Sequence, residues 1–164
     1  MFGAAPIPTP IGVGPRFHPP AATVAVLRGE PVAGHRCAVG GGRYGVHVEL
    51  FARGRVVIVP ARIGVARRGC SYATRTLEPT GVIEVQRGSR VTLGDFFEIW
   101  GQPLSATRLA GFRTTGSAPV RAYVAGRRWR GPLRSIRLRR HAQIVLELGP
   151  FIPPHRAFLF RPGL

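Results

Sequence analysis

The chain has 164 residues, with 22 Gly, 16 Pro and 24 basic against 7 acidic side chains, a net charge of +17. That length holds one domain with a sizeable core, and the Gly and Pro content suits short strands joined by turns. No apolar run approaches the ~20 residues of a membrane helix, which excludes a helical transmembrane segment from the reading. Every basic residue is Arg, and Lys and Asn are both absent. Their shared A-rich codons make the Arg-for-Lys choice a matter of GC-rich coding. The scarcity of acidic residues is not explained that way, so a basic surface able to attract polyanions or anionic lipid is expected.

Residues 1–22 carry Pro6, Pro8, Pro10, Pro15, Pro19 and Pro20, a spacing that forbids a helix and reads as a tail or linker. The apolar run Ala21–Leu27 is short and lacks a basic flank, so it does not read as a signal peptide. Export would need a signal upstream. Thr23–Leu27 is expected as a short strand before a turn at Arg28–Pro31, and residues 34–42 as a loop with His35, Cys37 and three consecutive glycines. Tyr44–Phe51 then alternates, with Val46, Val48 and Leu50 on one face and Gly45, His47, Glu49 and Phe51 on the other. A turn over Ala52–Arg55 returns the chain as Val56–Val59, which makes a hairpin. Val82–Val85 is a further strand.

The next segment holds the one convincing helix. Thr92 and Asp95 form a variant capping box. Leu93, Phe96, Phe97 and Trp100 fall at i, i+3, i+4 and i+7, and Gly101 marks the stop. Burying those four side chains contributes roughly 1.5–3 kcal/mol each. Residues 102–117 form a long connection, with Leu104, Leu109 and Phe112 docked on the core. Val120–Val124 turns through Ala125–Gly126 into Arg127–Arg130 as a second hairpin. Ser135–Arg139 and Gln143–Leu148 are expected as strands, and the aromatic end, 150–164, as a docked tail. The fold class expected is mainly β (α+β). One domain, residues 23–164, would hold two hairpins and further strands packed on a short helix in a β-grasp-like arrangement.

The segments Val59-Pro-Ala-Arg-Ile-Gly64, Cys70, Gly81-Val-Ile83 and Thr92-Leu-Gly-Asp-Phe-Phe-Glu-Ile-Trp-Gly101 resemble a family of small, largely uncharacterised bacterial proteins, mostly exported or membrane-anchored. The resemblance covers most of residues 35–160 and implies an extracytoplasmic β-rich domain. It also implies a metal site built on a His cluster, and here that cluster is degraded. Arg75-Thr-Leu-Glu78 stands where the family pattern has His-Thr-His-Asp, Glu84 and Gln86 stand for a later His and Glu, and only His47 remains on the first strand.

The candidate residues fall into three groups. Cys37 and Cys70 are the only cysteines. Their readings are a disulfide, preferred for a protein outside the cytoplasm, two buried thiols, or a metal site with His35 and His47. His35-Arg-Cys37 lacks ligand-pair spacing, which weighs against the metal. His47, Arg75, Glu78 and Glu84 make a candidate polar or ligand site, read against an ion-pair network and a hydrogen-bonded strand histidine. Arg121, Arg127, Arg128, Trp129, Arg130, Arg137 and Arg139 make a candidate anion-binding face. Phosphates would meet the arginines and a base would stack on Trp129. Basic strands also discourage sheet-to-sheet pairing, which is the plainer reading.

No phosphate-cradling Gly loop is present, since Gly40–Gly42 lacks the following Lys-Ser/Thr, and no Ser/His/Asp pattern occurs. The preferred function is a non-enzymatic extracytoplasmic binding or structural module with no cofactor and a degenerate metal site. The first alternative is an intracellular nucleic-acid-binding protein using residues 120–141. The second is a metal-binding protein or enzyme around His47.

Overall fold

A computed structural model of the chain describes Gly12 and residues 14–153 and 157–164. The elements in order are α1 (Val24–Arg28), β1 (Arg43–Ala52), β2 (Arg55–Val57), β3 (Thr74–Arg75), β4 (Val82–Gln86), α2 (Leu93–Trp100), β5 (Arg108–Leu109), β6 (Phe112–Arg113), β7 (Arg121–Val124), β8 (Arg127–Arg128) and β9 (Gln143–Leu148). A 3-10 turn spans Leu133–Ser135. Seven strands form one mixed sheet in the order β3-β4-β1-β9-β7-β8, with β2 also paired to β1, and β5-β6 form a small separate ladder.

The centre of the sheet is a parallel pair, β1 beside β9, in register from His47↔Gln143 to Ala52↔Leu148. Every other pairing in the sheet's strand order is antiparallel. A leading antiparallel arm, a helix laid across one face, and a closing arm that returns the last strand beside the first make the fold β-grasp-like and mainly β.

Period-two alternation decides what the helix covers. Val46, Val48, Leu50 and Ala52 of β1, Ile83 and Val85 of β4, Ala122 of β7, and Ile144, Leu146 and Leu148 of β9 are all buried with α2's Leu93, Phe96, Phe97 and Trp100 in one cluster. The capping box of α2 is complete, with Thr92 N–H donating to Asp95 Oδ2 (2.8 Å) and Asp95 N–H to Thr92 Oγ1 (3.3 Å). Gly101 ends the helix in the left-handed region, φ 79°. Both hairpin turns have positive φ at their two central residues, Arg53–Gly54 and Ala125–Gly126. That is the turn whose twist matches paired strands.

The structure corrects several boundaries. Thr23–Leu27 is not a strand. Thr23 Oγ1 accepts from Val26 N–H (3.3 Å) and Gly29 closes the turn in the left-handed region, so a five-residue helix forms. That helix covers the back of α2, where Val26, Tyr72 and Ile99 form a second buried cluster. Ser135–Arg139 is not a ladder strand either. It leaves a 3-10 turn and makes a single bridge, Thr92↔Arg137, while Ile136 and Leu138 still bury. The alternation there reports a one-sided extended segment docked at the start of α2. The returning strands of the two hairpins are also shorter than expected, ending at Val57 and Arg128. The expected tail, residues 1–22, lies partly outside the described residues. In its described part Phe17 bridges Val57 and Pro20 accepts a hydrogen bond from Trp100 Nε1 (2.8 Å).

Cys37 and Cys70 are joined in a disulfide. The link ties the loop after α1 to the segment entering β3, beside the bridge Ala38↔Ser71.

Candidate functional site

With one face of the sheet under α2, the outward positions of the strands face the other way. They are His47, Glu49 and Phe51 of β1, Gln143, Val145 and Glu147 of β9, and Arg121 and Tyr123 of β7. An ordinary antiparallel sheet would leave this side polar and wet. Here the described parts of the carboxy-terminal segment, Gly149–Pro153 and Ala157–Leu164, lie across it.

Named side chains hold that strap at intervals. Arg121 Nη2 donates to the Gly149 carbonyl (2.6 Å) and to Glu147 Oε2 (3.1 Å), while Ile152 N–H donates to Glu147 Oε1 (3.2 Å). Further along, the Gln143 amide pairs with the Phe158 backbone in both directions, accepting from its N–H (2.9 Å) and donating to its carbonyl (3.2 Å). A side-chain amide thus takes the place of a strand's peptide group. The His47 ring stacks on Phe158 at 4.2 Å, and His141 on Phe160 at 4.4 Å. His141 Nε2–H (2.5 Å) and Arg140 Nη2–H (3.2 Å) both donate to Leu164 O. Gly45 belongs to the same arrangement, because a Cβ there would lie 2.7 Å from the Phe160 ring. A glycine inside a strand pattern is the sequence sign of such an approach.

Between strap and sheet lies a cavity of about 570 Å³, lined among others by His47, Glu49, Tyr123, Val145, Phe151 and Ile152. Glu147 is 1% exposed at its edge and is charge-balanced by Arg121. An apolar hollow with a few fixed polar groups is the usual form of a small-molecule site.

Comparison with known protein families, curated proteins and solved structures returns no match.

The residues singled out in the sequence separate into distinct places. Arg75 and Glu84 face each other across β3 and β4. Arg75 Nη2 and Nε donate to the same Glu84 oxygen (2.9 and 3.0 Å), and Nη1 donates to Ser71 Oγ (3.0 Å). Arg43 completes the group with donations to the Glu84, Ala73 and Tyr72 carbonyls. Burial lowers the Arg43 pKa, the nearby Arg75 charge lowers it further, and Glu84 opposes both. His47 is buried, and its Nε2–H donates to the Thr80 carbonyl (3.0 Å). Glu78 is exposed on the turn before β4. The metal site implied by the resemblance does not fit this arrangement: Arg75 and Leu77 stand where its pattern has histidines, and His47 Nε2 is on a peptide carbonyl.

The arginine face is also divided. Arg121 is committed to Glu147 and the strap. Trp129 packs against the core with its indole N–H on the Pro132 carbonyl (3.0 Å). Arg127, Arg128, Arg130, Arg137 and Arg139 are exposed and form no ion pair with any described residue. Arg137 and Arg139 lie outside the sheet's strands, so the expected striped sheet is not formed by these residues.

Sequence reasoning missed the cavity. Glu147, Gln143 and Tyr123 looked like ordinary outward positions of alternating strands. The available signal was the aromatic end, Phe151, Phe158 and Phe160, which needed a surface to cover.

Proposed function

We propose that this protein is a non-enzymatic, extracytoplasmic binding module that holds a small apolar or amphipathic molecule between the open face of its sheet and the carboxy-terminal strap. The observation that carries the reading is the strapped cavity itself. The described parts of a segment fastened at Glu147, Gln143 and His141 leave a half-open hollow of about 570 Å³ between themselves and the sheet. Drug-sized and metabolite-sized ligands take sites of roughly 300–1,000 Å³. Among the described residues that line the hollow, no nucleophile is paired with a base.

The location rests on the Cys37–Cys70 disulfide, since such bonds persist in oxidising compartments. The resemblance to an exported bacterial family supports the same placement. Thiol trapping of the native protein in fractionated host cells tests it: free thiols in a cytosolic fraction would overturn the location.

Binding is tested with Nile red, a neutral dye chosen because an anionic one would decorate a +17 surface. The native chain should show saturable fluorescence enhancement at one equivalent. Val145→Trp, which fills the cavity from β9, should abolish it while the circular dichroism spectrum is kept. Equal enhancement in a folded Val145→Trp variant would overturn the reading.

A second reading has one observation in its favour: five exposed arginines that pair with no acidic group among the described residues. They suit a polyanion such as DNA or RNA. Such binding would weaken steeply with salt and fall on combined Arg127→Ala and Arg128→Ala substitution.

A further inference from the structure

We propose that His35, Asp95 and Glu98 form a site for one first-row divalent cation of the zinc type, on the side of α2 that faces the disulfide-bonded loop. Among the described residues this is the only group of three or more His, Cys, Asp or Glu side chains whose ligand atoms converge, all within 4.8 Å of one another. The site is separate from the strapped cavity and from His47, and it stands whether or not the cavity reading holds.

The two separations from the imidazole nitrogen match what an ion would impose. His35 Nε2 lies 3.1 Å from Glu98 Oε2 and 3.5 Å from Asp95 Oδ1. Ligands about 2.0–2.2 Å from a metal, at tetrahedral or octahedral angles, stand about 2.8–3.6 Å from each other. Asp95 and Glu98 are three apart on one helix and therefore share a face. Each has its other oxygen already engaged, Asp95 Oδ2 by the Thr92 backbone and hydroxyl, and Glu98 Oε1 by Arg134 Nη2 (2.7 Å). The oxygens left over both point at the same imidazole nitrogen. The ring N–H of His35 donates to Glu98 Oε2 there (3.1 Å), and a divalent cation would take that proton's place between the ring nitrogen and the two carboxylates.

The three ligands are also held in place before any ion arrives. Val32 and His35 exchange both backbone hydrogen bonds (2.9 and 2.7 Å), and the disulfide begins two residues after His35. The capping box fixes Asp95, and Arg134 fixes the Glu98 carboxylate. Outer partners of this kind orient metal ligands and tune affinity by 10–100-fold. The His35, Asp95 and Glu98 side chains are 18%, 29% and 34% exposed, so water can enter and complete the coordination. One imidazole with two carboxylates suits zinc or manganese. Calcium and magnesium, which take six or more oxygens, are poorly served by it.

The test is calorimetric titration of the untagged, chelator-stripped full chain with zinc chloride, with cobalt absorption as a second readout. One saturable equivalent is expected, and excess calcium should not compete. His35→Gln and Glu98→Gln should each weaken binding at least tenfold, while His18→Gln, on the exposed amino-terminal segment, should not. Glu98→Gln keeps an acceptor for Arg134, so it remains informative if the His35 variant folds poorly. Absence of a saturable zinc equivalent in the native chain, or unchanged affinity in a folded Glu98→Gln variant, would overturn the proposal.

Discussion

Replacing both cysteines (Cys37→Ser with Cys70→Ser) should lower the stability of this protein by roughly 3–4 kcal/mol. The bond closes a loop of sequence separation 33. In the chain-entropy description, a loop of about that length costs the unfolded ensemble roughly 12.5 cal/mol/K, or about 3.7 kcal/mol at 25 °C. The native state offers little to offset the loss. The loop after α1 is otherwise held by the bridge Ala38↔Ser71, the Val32–His35 pair and the Tyr72 hydroxyl on the Glu30 carbonyl. Each such hydrogen bond contributes only about 0.5–1.5 kcal/mol net. For a chain of this size the loss corresponds to a fall in Tm of about 10 °C. Urea unfolding of oxidised protein and double variant gives the number, with unfolding slopes compared to detect any expansion of the unfolded state. A loss below about 1 kcal/mol would refute the reasoning, because the link would then close a loop already restrained when unfolded.

Glu147→Ala should destabilise by roughly 3 kcal/mol or more, because it leaves the Arg121 guanidinium, 16% exposed, without its carboxylate. It also removes the acceptor for Ile152 N–H, so faster proteolysis within the strap should accompany the loss. The Tyr44 hydroxyl, on the Leu138 carbonyl (2.6 Å), and the Tyr72 hydroxyl are both pushed up in pKa, chiefly by burial. Their folded values lie above the unfolded ones, so stability is intact below about pH 10, the ordinary tyrosine value. It declines as pH rises through the folded values, since the unfolded chain releases protons first. Absorbance at alkaline pH should therefore show these two tyrosines ionising together with loss of the far-ultraviolet signal. Ionisation of all three tyrosines with the fold intact would contradict this.

What could be read from the chain alone was whatever depends on neighbours in sequence. The cap at Thr92 and Asp95, the apolar face of α2, the stop at Gly101, the two Xaa-Gly hairpin turns and the alternation of β1, β4 and β9 are local matters. Periodicity and turn chemistry carry them. Local signals failed where two structures share a pattern. Thr23–Leu27 is too short for its period to tell helix from strand, and the Thr23 cap with Gly29 decides for a helix. Ser135–Arg139 alternates because one side packs on α2, with no strand beside it to make a ladder.

Tertiary structure alone decided the rest. Nothing local announces that β1 and β9, some ninety residues apart in sequence, lie parallel at the centre of the sheet. Yet that pairing sets Glu147 and Gln143 beside His47 and Glu49, under the strap. Likewise Asp95 reads in sequence only as a cap, and His35 as a loop residue grouped with the cysteines and His47. They converge because the disulfide loop folds back over α2. Sequence specified the faces, through the period at which apolar residues recur. Long-range packing chose which polar residues share a place, because that choice depends on which faces the core leaves uncovered.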